Sequence, residues 1–506
     1  MNCKNKYGQY MTPEIIASFM VNLIEHDNDC ECLEPCCGEG IFLDLLKKSG
    51  YKNITAFEID KSLIKKEYNI YNKSFVSADI KTKYDVIIGN PPIIRWKNLE
   101  KDLKSELSDS ILWQNYCNSL CDYSSAFIIK SVEQLKEDGE LIFITTNYWF
   151  STMHASGMRN YLLDNGYIKE IVYFNETPIF EKVSASFVIF KFVKNKKLKP
   201  DIDVIKYSSS KKLSKDVLDS IAKKECGENY FIPQFEKNTK WIIEKKEEIE
   251  IIHYYENACG GNTLKKICDI GNGMVSGLDK AFQISSDVVL NDDESKSYIN
   301  VIKAKNLKPF VYDSSTRYIF FKNKIDENIL KNKFVNFFAQ LFPFKQSLLN
   351  RYSYGKDLQY WEWAFLRNFS LFQNNTDKIF CPCKERITKK DRFRFSIVPA
   401  NYYPTQDVTA LVLKNDTEED IRYVTALLNS KYVFKWLSNC GVRKGDIVEF
   451  SEAPLASIPY RKINFNNERE KNIHDKIIEL VETYKKQNNP KILDDIDFSI
   501  GELLKK

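Results

Sequence analysis

The sequence has only four histidines in 506 residues, and its 13 cysteines include no C-x-x-C pair. The close pairs Cys30/Cys32, Cys36/Cys37 and Cys381/Cys383 are too tight for a zinc module, so no metal site is expected. An odd cysteine count without a regular framework of spacings argues against disulfide stapling. Reduced thiols point to the cytoplasm. No run of about 18 apolar residues is present, which excludes a helical membrane span. Met1 to Tyr10 is polar and lacks the apolar stretch of a signal peptide. Internal repeats and low-complexity tracts are also missing. The net charge of +5 is mild and by itself neither requires nor excludes nucleic acid.

What is present is an ordinary globular composition, long enough for two to four domains. Residues 30–193 alternate β-rich runs, at 54–58, 84–88, 140–145, 168–174 and 186–192, with helical patterns. One such helix, 126–135, runs into a Lys-Glu-Asp-Gly turn ending at Gly139. This alternation predicts an α/β doubly wound, mostly parallel sheet with helices on both faces. Sheets of this kind bind ligands beyond the carboxyl ends of their strands. The predicted boundaries are 1–198 for this domain, 199–254 for a connecting region, 255–462 for a mixed α+β domain and 463–506 for a helical tail.

The motifs fall at those strand ends. Leu33-Glu34-Pro35-Cys36-Cys37-Gly38-Glu39-Gly40 follows an apolar strand and opens a helix. Glycines there let the backbone turn and approach a ligand closely, although a Gly-rich turn alone is as often structural. Glu58 ends the next run about 20 residues on, where a carboxylate suits ribose hydroxyls. Asp79, in Ala78-Asp79-Ile80, suits an adenine amino group. Together these three ends describe a nucleoside pocket. The strand Asp85-Val86-Ile87-Ile88 then runs into Gly89-Asn90-Pro91-Pro92-Ile93. Asn-Pro is a common turn signal. After such a series it also places two oxygens, the Asn90 side chain and the Pro91 carbonyl, where they could hold a planar amine. Prolines at 91 and 92 stiffen the backbone and remove competing donors.

This series resembles the gamma class of adenine-N6 DNA methyltransferases of bacterial restriction-modification systems. Tyr7-Gly8-Gln9-Tyr10-Met11-Thr12-Pro13 resembles the opening motif of that family, with Met11 where tyrosine is usual. Glu34 to Gly40 resembles its first cofactor motif and Asn90-Pro91-Pro92 its catalytic tetrad, with Ile93 in place of the usual aromatic. Lys182-Val183-Ser184-Ala185, the segment from Tyr123 through Phe127, and Gly139 to Thr145 also match, as do Leu162-Leu163 and Ile168 to Val172. The resemblance covers about residues 7–193 and is looser from 255 onward. It implies a seven-stranded Rossmann-like domain followed by a DNA target-recognition domain. The implied activity is methyl transfer from S-adenosyl-L-methionine to the N6 amine of a flipped-out adenine in double-stranded DNA. The implied cofactor contacts are Tyr10, Thr12, Pro13, Glu34, Pro35, Cys36, Gly38, Gly40, Glu58, Asp79 and Asn90. The implied catalytic set is Asn90, Pro91, Pro92 and Ile93, with Phe180 stacking on the target base. Trp96, Phe180 and Tyr148 are the candidates for the aromatic face that Ile93 does not supply.

In the C-terminal half, Ile270 to Phe282 is Gly-rich but lacks the Gly-Lys-Ser/Thr of a phosphate loop. In similar enzymes such a segment opens the recognition domain. Basic and aromatic residues interleave from Arg386 to Phe395, which suggests DNA contacts at Lys389, Lys390, Arg392 and Arg394. Trp96, Arg443 and Lys444 are further candidates, and a solvated charged strand is the alternative reading. Trp361-Glu362-Trp363 reads as core. A monomer is expected, with DNA held between the two halves, acting either beside a separately encoded restriction endonuclease or as a solitary methylase. No fused nuclease is expected, because the methyltransferase motifs open at Tyr7 and no nuclease motif follows. Two alternatives remain. One is a methyltransferase acting on a protein glutamine or an RNA amine. The other is a catalytically weak DNA-binding specificity protein.

Overall fold

The computed structural model describes residues 10–181, 183 and 185–505, the side chain of Lys444 excepted. Tyr7, Gly8, Gln9, Lys182 and Ser184 lie outside the described residues. The chain divides into two compact units, Met1–Ile249 and Glu250–Lys506.

The strands of the first unit are β1 (Glu31–Glu34), β2 (Asn53–Phe57), β3 (Ile70–Tyr71), β4 (Tyr84–Gly89), β5 (Leu135–Thr146), β6 (Tyr167–Tyr173), β7 (Phe187–Val193), β8 (Ile202–Lys206) and β9 (Glu228–Ile232). They form one sheet in the order β3-β2-β1-β4-β5-β7-β6-β8-β9. Alternate residues of a strand face opposite sides, and here both sides are covered. Val86, Ile88, Ile142 and Ile144 enter one core, while Ile87, Leu141 and Phe143 enter the other. Near-continuous apolar strands such as Val-Ile-Ile in β4 follow from that double burial. Helix α1 (Glu14–Val21) and helix α2 (Ile41–Lys48) frame the first strand. α2 buries Phe42, Leu43 and Leu46 and carries Lys47 and Lys48 in its last turn, where cations suit the helix dipole.

The expected seven-stranded, mostly parallel sheet is corrected to a mixed sheet of nine strands. β7 is antiparallel to both β5 and β6, and β9 is antiparallel to β8. Among the described residues the connection between β6 and β7 holds no crossover helix, and the second strand of the pair returns antiparallel. β8 and β9 fall in the stretch 199–254, expected as a connection. Their runs are only five residues each and flanked by lysines and polar residues, which hid them from the pattern. The turn expected before Gly139 survives as an irregularity in β5, where the pairing steps from Tyr84↔Leu135 to Val86↔Glu140.

The second unit is mixed α and β. A four-stranded sheet joins Cys268–Asn272, Val408–Leu413, Lys378–Pro382 and Ser396–Val398. Two three-stranded sheets accompany it, and the helices Glu468–Gln487 and Lys491–Leu504 close the chain. Trp361 and Trp363 are core residues as expected, and the indole N–H of Trp363 donates to the Ile319 carbonyl at 2.9 Å. The Gly-rich segment 270–282 owes its glycines to close packing. A Cβ on Gly273 would lie 2.1 Å from the Thr405 carbonyl oxygen, and one on Gly277, whose φ is +91°, would lie 2.4 Å from Arg351 Cδ. Among the described residues, no helix is long and apolar enough to cross a membrane.

Candidate active site

β2, β1 and β4 are neighbours, so the segments leaving their carboxyl ends converge. β1 runs into Pro35-Cys36-Cys37-Gly38-Glu39-Gly40. Gly40 adopts φ +79° and caps α2, a conformation that a side chain would strain. Gly38 has φ +52°, and the Met11 sulfur would sit 3.6 Å from a Cβ placed there. Glu58, which directly follows β2, is 3% exposed. Its carboxylate accepts the Gly38 amide at 2.7 Å and the Asp60 amide at 2.8 Å, which ties the glycine turn to the second strand.

These segments line a pocket of about 940 Å³, part of it open to solvent. Tyr10, Thr12, Glu34, Pro35, Cys36, Gly38, Glu58, Asn90 and Pro92 line it as expected. Glu34 is fully buried, and its Oε2 makes no hydrogen bond to a described residue. Burial, with Glu58 and Asp44 nearby, pushes its carboxyl well above the usual range. A buried acid with no hydrogen-bond partner among the described residues, facing a pocket, fits a cationic ligand.

Asn90 leaves β4 with its side chain fixed. Nδ2 donates to the Tyr10 carbonyl at 2.8 Å and to Thr12 Oγ1 at 3.1 Å. With both N–H bonds engaged, Oδ1 is presented as an acceptor. The Cys36 thiol donates to the Asn90 carbonyl at 3.4 Å, which joins the two loops. Burial raises the pKa of that thiol far above its usual range, so Cys36 is a neutral donor and not a nucleophile.

Other expected residues fall differently. Asp79 is exposed and absent from the pocket wall. The third strand is Ile70–Tyr71, so the segment leaving its end, Lys73-Ser74-Phe75, lines the pocket in place of Asp79. Pro13 and Gly40 act behind the wall. The Pro13 carbonyl accepts the Ile16 and Ala17 amides at the start of α1, and Gly40 caps α2. Pro91 is buried. Ile93 packs against the cluster that holds Phe180 and Phe187. Phe180 is 5% exposed, with its ring 6.1 Å from Tyr10 and 4.7 Å from Phe187. Trp96 is half-buried and stacks on Trp113 at 5.8 Å. Tyr148 is half-buried in the short helix after β5. Sequence reasoning assigned no role to Lys73, Ser74, Phe75 and Leu103. Tyr123, which also lines the pocket, carried only a family match.

In the second unit the basic run is tied into the fold. Glu385, buried, pairs with Arg394 at 2.8 Å and with Lys390. Arg392 pairs with buried Asp497 at 3.3 Å. Phe393 and Phe395 are fully buried. Arg443 donates to the carbonyls of Ser438 in the preceding helix and of Gly445 in its own hairpin. Arg386, Lys389 and Lys390 are the exposed cations of the stretch.

A Gly-rich turn, an acid and an Asn-Pro-Pro segment on adjacent strand ends define a methyltransferase of α/β fold. A family model described as the Eco57I restriction-modification methylase matches residues 19–180. The Type II methyltransferase M.HindII of Haemophilus influenzae is 45% identical, covering 99% of this chain and 98% of its own. M.HincII, also from Haemophilus influenzae, is 44% identical with the same coverage. M.MjaIV of Methanocaldococcus jannaschii is 35% identical over 39% of this chain and 66% of its own. Among solved structures, the Type IIL restriction-modification enzyme MmeI in complex with DNA shares the fold. Its TM-score is 0.62 at 13% identity, over 97% of this chain and 72% of that one. The chain belongs to the family of Type II restriction-modification methyltransferases.

Proposed function

We propose that this protein is the modification enzyme of a restriction-modification system. In this reading it methylates the exocyclic N6 amine of an adenine flipped out of duplex DNA, with S-adenosyl-L-methionine as donor. The observation that carries it is the tethered amide of Asn90, beside a pocket holding a buried carboxylate with no hydrogen-bond partner among the described residues. S-adenosylmethionine supplies an electrophilic methyl group on a positively charged sulfonium. Glu34, whose burial favours the neutral acid, would be drawn to its charged form by such a cation, and Glu58 accepts from ribose hydroxyls.

The chain's own part in the reaction is orientation. Adenine's amino lone pair is delocalised into the ring and is a poor nucleophile. Oδ1 of Asn90 accepts one N–H of that amine and the Pro91 carbonyl accepts the other. Two acceptors so placed draw the nitrogen towards tetrahedral geometry and aim its lone pair at the methyl group. Neither oxygen is a strong base; both stabilise the positive charge that develops on nitrogen. A base inside a duplex cannot reach this pocket, so flipping adds a cost of a few kcal/mol. The second unit is assigned to sequence recognition, with Lys389 and Lys390 as its phosphate contacts from the basic run.

The test is transfer of labelled methyl groups to unmethylated genomic DNA, followed by nucleoside analysis. N6-methyladenine is the expected product. A methylated cytosine would sink the adenine assignment, and label found only in protein or RNA would sink the DNA assignment.

A further inference from the structure

The second unit contains a surface that differs in kind from the paired basic run. From residue 328 to residue 356 the chain has no aspartate or glutamate, and it carries Lys331, Lys333, Lys345, Arg351 and Lys356. Glu327, at its edge, pairs with Lys345 at 3.0 Å and Lys331 at 3.6 Å, which leaves the stretch positive. Its tip is aromatic and open. Tyr352 is 76% exposed and Tyr354 43%. Their rings lie 4.7 Å apart, and Tyr354 rests on Phe365 at 4.8 Å. Lys356 extends over Phe365, its Nζ 5.5 Å from the ring centre. A Cβ on neighbouring Gly355 would meet nothing within 4 Å, so no part of the fold packs over this turn.

Beneath the tip the anchoring is firm. The Arg351 guanidinium donates to the carbonyls of Leu348 at 2.9 Å, Gln359 at 3.2 Å and Glu362. Its stem fills the space left by Gly277. A loop held rigidly at its base, with two tyrosines and a lysine directed to solvent, suits contact with the sugars, base edges and phosphates of DNA. An aromatic surface serving only the core would be buried, as Phe393 and Phe395 are.

We propose that the stretch 328–356 is a duplex-DNA contact surface, in which Tyr352 and Tyr354 lie against sugars and base edges and Lys356 meets a phosphate. Arg351 is the positioning residue that holds the tip. This rests on the reading that duplex DNA is the substrate.

The experiment uses the full chain, with methyl transfer to unmethylated plasmid DNA and fluorescence anisotropy on a labelled duplex across a salt series. Y352A/Y354A removes both aromatic contacts and is expected to raise KM for DNA by about 10- to 100-fold. Its kcat and its affinity for S-adenosylmethionine should stay near wild type, and Y352F should retain most of the DNA affinity. K356Q is expected to flatten the slope of log K against log salt by about one. A merely structural tip would lower thermal stability without touching that slope. Unchanged KM and slope in variants of an active wild type would overturn this surface alone. A wild-type protein that methylates no DNA would overturn the substrate reading and this proposal with it.

Discussion

Asn90→Ala separates orientation from folding. The variant removes two hydrogen bonds, to the Tyr10 carbonyl and Thr12 Oγ1. Each contributes about 0.5–1.5 kcal/mol net to stability when buried. Tyr10 is 44% exposed, so water replaces much of what its carbonyl loses. The expected stability change is therefore about 1 kcal/mol. The catalytic loss should be larger, because Oδ1 acts where charge develops. Removing one such preorganised dipole lowers kcat by about 100- to 1,000-fold, or ~3–4 kcal/mol. Single-turnover methyl transfer at saturating DNA and donor reads the rate, calorimetry reads donor binding and thermal unfolding reads stability. The expected pattern is a rate down by at least two orders of magnitude with donor affinity within a few-fold. A variant that methylates at the wild-type rate would refute the assignment. A collapse of donor binding equal to the rate loss would make Asn90 a cofactor ligand only.

Further expectations concern the same architecture. Glu34→Gln tests the buried carboxyl. Its folded pKa is raised, so between its unfolded value of 4.5 and that raised value the native state holds the extra proton and stability falls as pH rises. The variant lacks this loss and should gain in melting temperature relative to ligand-free wild type as pH climbs above 4.5, while binding donor more weakly; a gap that shrinks with pH would count against the burial argument. Ile93→Phe should raise or preserve turnover by offering a stacking face worth about 1–3 kcal/mol to the target base. A clear drop in kcat/KM would mean that the pocket is shaped around the smaller side chain. Gly273→Ala forces a Cβ to within 2.1 Å of the Thr405 carbonyl and should destabilise the second unit by about 1–3 kcal/mol; an unchanged denaturant midpoint would disprove that close packing. Lys389→Gln should flatten the salt dependence of DNA binding by about one. Arg394→Gln should instead act mainly on stability, because it takes a partner from buried Glu385. The reverse pattern in melting and anisotropy would exchange those roles.

Much of the catalytic unit was legible in the chain. Glycines that must adopt positive φ, a carboxylate at the end of the second strand and Asn-Pro-Pro after the fourth are local features. The backbone turn and the chemistry both depend on residue type at a fixed offset. The five strands read from apolar runs all form, because burial on both faces demands near-continuous Val, Ile and Phe. β8 and β9 escaped notice because a five-residue strand among lysines has no distinctive pattern until its neighbours exist. Asp79 was misplaced for a related reason: an acid near a strand end can face the pocket or the solvent, and the short third strand decides which.

The basic run shows the limit most clearly. Arg392 and Arg394 look like DNA contacts in sequence, yet their partners Asp497 and Glu385 lie 105 and 9 residues away. Whether a cation faces a carboxylate or open water is settled by non-local packing. The sequence by itself determined the order of motifs, the family they belong to and the chemistry available at Asn90. Only the tertiary structure decided how Asn90 is tethered, that Glu34 is buried without a hydrogen-bond partner among the described residues, and which aromatic and basic residues stay exposed. Those properties arise from long-range contacts that bring distant segments together and remove charge from solvent, and residue type alone does not encode them.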